Sequence, residues 1–229
     1  MNDRLKIWLT AFVATAALVI LCYLYVDRPV AFFAHANTVP NRRYFDMLTR
    51  ISEYLFVAAA FGFVVFGLRA LVTARWHKWQ AVILLCGIAL AVAETIKDEL
   101  KFAFGRTWPE TWINNNPSLI GNGTFGFNPF HGGAGYNSFP SGHTTAVCTV
   151  AAVLWVAYPK LRPLWILTVL AVVVGLIGAD YHFVSDIVAG AFLGTTTGWL
   201  AVMLWDEGAL PGMRPESPAG SNDRQREGS

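Results

Sequence analysis

Apolar residues run along the chain in six long stretches, separated by short clusters of charge. Ile7–Val26 holds no charged residue, and roughly 20 apolar residues suffice for a helix to cross ~30 Å of hydrocarbon. Arg4 and Lys6 precede it, and no small-residue cleavage site ends it. It therefore reads as a retained first span and not as a signal peptide. Tyr54–Ala74, Trp79–Ile96, Thr144–Tyr158, Leu164–Ala179 and Ile187–Trp205 follow, with Arg69 and Glu94 interrupting the second and third. The pattern predicts an all-α polytopic membrane protein with about six transmembrane helices. Three regions are expected: a first helix with an interfacial loop (1–53), a membrane core (54–205) and a flexible cytoplasmic tail (206–229), where the sequence turns to Gly, Pro, Ser and charge.

Composition narrows the class. Hydrophobic residues make up 55% and charged residues 14% of the chain, against about 25% charged in soluble domains. Mean hydropathy is +0.44. These values exclude a soluble enzyme, a disordered chain and a nucleic-acid binder. Cys22, Cys86 and Cys148 all lie in apolar runs, which argues against a disulfide framework. Basic residues in short loops set orientation. Arg4, Lys6, Arg69, Arg75, Lys78, Lys160 and Arg162 mark the cytoplasmic face. The segment after the first span mixes Arg28, Arg42, Arg43 and Arg50 with Asp27, Asp46, Glu53 and several aromatics, and is expected to lie at the interface.

Ionisable groups at span ends are functional candidates by default. They gather at Glu94, Lys97, Asp98, Glu99, Lys101 and Arg106 after the third span, at Pro140-Ser141-Gly142-His143 before the fourth, and at Asp180–Asp186 before the sixth. Alternating spans place all three clusters on one face of the bilayer, the non-cytoplasmic one. His182 and Asp186 are four apart and share a helical face. A carboxylate there fixes the imidazole tautomer and leaves the other nitrogen free to act as a nucleophile. His143 opens a helix after Ser141-Gly142, where free amide groups suit an anion, and Lys101 and Arg106 supply positive charge. Two imidazoles among anion-binding groups match phosphoryl transfer through a phosphohistidine.

These residues resemble the type 2 phosphatidic acid phosphatase superfamily, related to vanadium haloperoxidases. Its motifs are Lys-x6-Arg-Pro, Pro-Ser-Gly-His and Ser-Arg-x5-His-x3-Asp. The second is complete as Pro140-Ser141-Gly142-His143, and the third keeps His182-x3-Asp186. The first is partial, as Lys101 through Arg106 to Trp108-Pro109. Trp108 and Leu176 stand where the family has arginine. The resemblance implies a membrane enzyme acting on a lipid phosphate or pyrophosphate, such as phosphatidic acid, phosphatidylglycerol phosphate, undecaprenyl pyrophosphate or lipid A. His182 would be the nucleophile, Asp186 its orienting group and His143 the acid–base. Lys101, Arg106, Ser141 and the Gly142 amide would hold phosphate oxygens, with no metal or cofactor. A bacterial inner membrane, with the site facing the periplasm or exterior, is the expected location. A lipid phosphotransferase and a catalytically lapsed lipid-binding relative are the alternatives.

Among the remaining polar residues, Asp180 reads as solvent-facing, His35 and His77 as interfacial, and His131-Gly132-Gly133 as a plain loop. Lys97 with Glu94 and Asp98 reads as structural, and Glu110–Asn137 as a lid over the headgroup.

Overall fold

The computed structural model describes residues 3–38, 41–72, 77–112 and 114–206. Arg75 and the expected tail beyond Asp206 lie outside them. Among the described residues the regular structure is helical. Helix α1 (Asp3–Thr38) is followed by α2 (Arg42–Ala70), α3 (Lys78–Phe104), α4 (Gly142–Ala157), α5 (Arg162–Gly178) and α6 (Val184–Asp206). Five of these six are long and apolar enough to cross a membrane, and α4 is a shorter apolar helix of 16 residues.

Three helices extend well beyond the apolar runs, α3 continuing from Ile96 to Phe104. Residues 27–38 continue α1, and α2 begins at Arg42, twelve residues before the apolar run starts at Tyr54. The segment expected at the interface is thus built into two long helices. The first 19 residues of α1 bury no side chain. A π-turn at Cys22–Val26 then widens the helix and shifts its phase. Immediately afterwards Asp27 is fully buried.

Helices α4 and α6 pack most intimately. Gly190, Gly194 and Gly198 form a stripe on α6, one per turn, against the carbonyls of Ser141, Thr145 and Thr149 on α4. A Cβ at Gly190 or Gly198 would stand 2.5 Å from its facing carbonyl oxygen, and one at Gly194 closer still. Small residues at such a seam let two helix backbones approach, as apolar spans in lipid require. The apolar core beside the seam joins Ala89, Leu90, Val150, Val153 and Val202 from three helices. Leu176, at the position of a family arginine, is fully buried against Val147, Cys148, Val172 and Ile187.

The opposite ends of the bundle differ chemically. At one end, Lys78 Nζ donates to the Ala157 carbonyl at 2.7 Å, near Lys160 and Arg162. At the other, the C-terminus of α3 meets the N-termini of α4 and α6. Gly105 ends α3 in the left-handed region (φ 54°), the usual glycine stop. The chain then enters the long connection to α4.

Candidate active site

The connection from Gly105 to Ser141 carries a short helix, Leu119–Asn122, and isolated backbone pairs. Arg106 pairs through its backbone with both Phe127 and Asn137, and Trp108 with Ser118. Its side chains Trp108, Trp112, Asn116 and Ala134 cover part of a cavity of about 570 Å3. Lys97 and Lys101 from α3, Gly142 and His143 from α4, and Tyr181 and His182 from the turn before α6 complete its polar side. The three charged clusters of the sequence therefore converge at one end of the bundle.

Ser141 explains part of this convergence. Its hydroxyl accepts from the Thr144 amide at 3.4 Å and from the Thr144 hydroxyl at 3.1 Å, capping α4. Its own amide donates to the Asp186 carbonyl at 3.1 Å, joining the starts of α4 and α6. Ser141, expected to bind phosphate, is fully buried, and its hydroxyl caps the helix. Gly142 does line the cavity. A Cβ there would lie 3.7 Å from Lys97 Nζ and 3.9 Å from Lys101 Nζ. Two ammonium groups thus face the amide end of α4, an arrangement suited to a phosphate. Lys97 is also bound to Glu94, and to Asp98 at 3.2 Å. It is a structural pair and a cavity wall at once.

His182 lies at the centre. Its Nδ1 is 3.4 Å from Asp186 Oδ2, the expected pairing, which leaves Nε2 with the lone pair when Nδ1 carries the proton. Burial holds His182 below the ordinary imidazole range, against the opposing pull of Asp186. The ring is therefore neutral at pH 7. The ring of His143 is centred 6.2 Å away, and its Nε2 is 3.6 Å from Glu53 on α2. Tyr181, stacked 6.3 Å from His143, donates to Asp46 at 2.6 Å. Desolvation, reinforced by Asp46, pushes the Tyr181 phenol up to about 12, so it remains a donor.

Arg106, expected among the phosphate ligands, has a fully buried side chain and does not line the cavity. Its guanidinium binds Asp186 directly and reaches Asp27 at 2.7 Å, within a cage of Tyr23, Phe125, Phe127 and Phe183 rings. Asp27 also accepts from the Ser185 amide at 2.9 Å and from the Ser185 hydroxyl. Asp186 further accepts from Ser138 Oγ at 2.6 Å and the Phe183 amide at 3.0 Å. A buried carboxylate must be paired and hydrogen-bonded in this way to be tolerated. The chain Asp27–Arg106–Asp186–His182 therefore fixes the ring from behind.

Sequence reasoning missed Asp27, Ser138 and Ser185 as members of this network, and Glu53 beside His143. Asp27 did carry a signal, a charge at the end of an uncharged apolar run. Trp108, where the family has arginine, lines the cavity with its ring 5.1 Å from that of His182, held by Nε1 donating to the Ala134 carbonyl at 2.8 Å. Asp180, expected to face solvent, is 4% exposed. His131 is exposed, stacked on Tyr136 and absent from the cavity wall.

A helical bundle with two imidazoles and a cationic helix N-terminus in one cavity, and a carboxylate buried behind it, has the make-up of a phosphate-handling integral membrane protein. Residues 80–208 match the PAP2 superfamily, and the chain belongs to that family of membrane lipid phosphatases. It is 25% identical over 206 residues to a lipid A 1-phosphatase of Rhizobium johnstonii, covering 86% of this chain and 79% of that protein. A lipid A 1-phosphatase of Rhizobium etli is 32% identical over 104 residues, covering 45% of this chain but only 40% of the relative. The bacitracin transport permease protein BcrC of Bacillus licheniformis is 26% identical over 144 residues, 63% of each chain. The crystal structure of a transmembrane PAP2-type phosphatidylglycerolphosphate phosphatase from Bacillus subtilis shares the fold. Its TM-score is 0.54 at 16% identity, over 87% of this chain and 96% of that one.

Proposed function

We propose that this chain hydrolyses a lipid phosphate or pyrophosphate at the membrane surface through a phosphohistidine on His182. The observation that carries this reading is the meeting of His182, paired to Asp186, with His143, Lys97, Lys101 and the Gly142 end of α4 in one cavity. Phe56, Val57 and Ala146 form an apolar side of that cavity. A further groove of about 200 Å3, lined by Phe63, Val64 and Leu90, shares Phe56 and Glu94 with it. A charged headgroup site that runs into an apolar groove between helices suits an amphiphile better than a soluble phosphate ester.

In the first step His182 Nε2 attacks phosphorus, forming the P–N bond as the P–O bond to the lipid breaks. His143 gives its proton to the departing oxygen. In the second step His143 takes a proton from water, whose oxygen attacks phosphorus and releases inorganic phosphate and neutral His182. Lys97, Lys101 and the α4 amides hold the phosphate oxygens as charge builds on them. Asp186 keeps the Nδ1 proton in place, and Arg106, recast from ligand to positioning residue, holds Asp186. No step calls for a metal ion. Residues 54–205 form the catalytic core, in an inner membrane with the Lys160–Arg162 end toward the cytoplasm.

The test is phosphate release, without an added acceptor, from detergent-solubilised lipid A, phosphatidylglycerol phosphate, phosphatidic acid and undecaprenyl pyrophosphate. Acid-labile label should be trapped on wild type after a denaturing quench with radiolabelled substrate, and be absent from His182→Ala. Full turnover by a folded His182→Ala protein would overturn the scheme. Turnover that appears only with an acceptor alcohol would make the protein a transferase.

A further inference from the structure

Outside the cavity, three metal-ligating side chains from distant parts of the chain meet. His35 near the end of α1, Glu110 in the long loop and Asp180 in the turn after α5 have ligand atoms within 4.8 Å of one another. His35 Nδ1 lies 3.0 Å from Glu110 Oε2 and 3.0 Å from Asp180 Oδ2. None of the three lines the catalytic cavity.

A single imidazole nitrogen facing two carboxylates does not complete this cluster. It carries one proton at most, shared between two acceptors. The Asp180 side chain is 5% exposed, and its Oδ1 is buried with no hydrogen-bond donor among the described residues. That atom belongs to the carboxylate already turned toward His35 and Glu110. Burying an unpartnered carboxylate oxygen is costly, and a bound cation removes that cost. We propose that His35, Glu110 and Asp180 bind a divalent transition metal, with Zn2+ the best fit, and that the ion clamps α1 and the long loop to the turn bearing His182.

The geometry and chemistry favour zinc. Ligand atoms about 2.0–2.1 Å from a tetrahedral ion stand roughly 3.3 Å apart. The two 3.0 Å separations at His35 are near this spacing, and the third, between Glu110 and Asp180, lies within 4.8 Å and would close on binding. One imidazole and two carboxylates balance the charge of a divalent ion. A nitrogen ligand and only two carboxylates disfavour calcium, which takes six to eight oxygens. The half-exposed His35 side chain leaves a solvent side for a water as the fourth ligand. The clamp lies two residues from both Trp108 and His182, so it stabilises the cavity walls without touching the substrate.

The experiment uses the full chain in detergent, stripped with EDTA and titrated with ZnCl2 and CoCl2. Wild type should bind one equivalent of Zn2+ by calorimetry and gain ~5–10 °C in Tm at a hundredfold excess over Kd. With Co2+ it should show a visible absorption band. His35→Ala and Glu110→Gln should lose the band and the Tm gain. Asp180→Asn, whose residue type tolerates the positive φ of 57° found there, serves as the variant least prone to misfold. EDTA should lower Tm while leaving the initial rate unchanged well below it, which separates this clamp from a catalytic metal. No Zn2+ uptake by wild type overturns the proposal. So does uptake that survives all three substitutions, or that is lost instead in His143→Ala.

Discussion

Replacing Asp27 by asparagine probes the carboxylate–arginine chain beneath the cavity without touching the cavity. The exchange keeps the side chain's shape and one acceptor oxygen, which can still receive the Ser185 amide at 2.9 Å. It turns the other oxygen, now 2.7 Å from Arg106 Nη2, into an NH2 group facing a donor. Loss of a charged hydrogen bond costs about 1.5–3 kcal/mol, and breaking a buried ion pair outright about 3–5 kcal/mol. Arg106 keeps Asp186, so the lower range applies, about 2–3 kcal/mol. At ~2–4 °C per kcal/mol for a chain of this size, Tm should fall by about 5–10 °C. Arg106 also sets the position of Asp186, and a misplacement of ~1 Å at the reacting group costs about a hundredfold in rate. The kcat for phosphate release should therefore drop ten- to a hundredfold with KM little changed. Scanning fluorimetry and steady-state phosphate assays on the purified proteins measure both. A variant with wild-type Tm and kcat would refute the positioning role of the chain, and a rise in KM alone would return Arg106 to the phosphate.

Three further outcomes are expected. His143→Ala should lower kcat by about 10^2–10^4, the usual contribution of a positioned acid–base group, and should lose less for substrates with good leaving groups, a contrast readable from paired phenyl-phosphate probes. Gly190→Ala sets a methyl 2.5 Å from the Ser141 carbonyl and must push α4 from α6; overpacking of this kind costs ~1–3 kcal/mol, so both Tm and kcat should fall, while Gly67→Ala, with open space around it, should be neutral. Because burial depresses His182 below its ordinary value, the neutral nucleophile persists below the pH at which a free imidazole protonates. The acid limb of kcat/KM should fall only as pH drops through that lowered value, and a limb centred above pH ~6.5 would contradict a buried neutral His182.

The helical class and the convergence of the three clusters were legible because charge is so scarce in apolar spans that each ionisable residue stands out. That rule and their spacing single out His143, His182, Asp186 and Lys101, which the structure brings together. Arg106 stands out by the same rule, but its orientation does not follow from it. Its sequence position beside the cluster says nothing about whether the guanidinium points toward the substrate or back into a cage of aromatic rings. Asp27 was visible and discounted, because neighbouring Arg28 and the aromatics after it resemble an interfacial segment. A π-turn at Cys22–Val26 comes directly before the buried Asp27, and no periodicity argument at 3.6 residues per turn anticipates a widened turn. Ser141 shows the same limit, since a serine before a helix serves equally as cap or ligand until its hydroxyl is seen to be occupied.

The ion pair between Asp27 and Arg106 has a consequence for biogenesis. Asp27 leaves the ribosome with the first helix, whereas its partner Ser185 follows 158 residues later, and Asp186 arrives with the last helix. Until α6 is inserted, Asp27 and Arg106 have only each other, and His182 has nothing to set its tautomer. The packing around His182 is thus complete only when the final helix docks along its glycine stripe. A truncation that stops short of α6 would leave a protein without Asp186. Severing α1 would leave the last helix present but Arg106 with one carboxylate fewer, so the first helix holds the buried network beneath the cavity as directly as the last helix does.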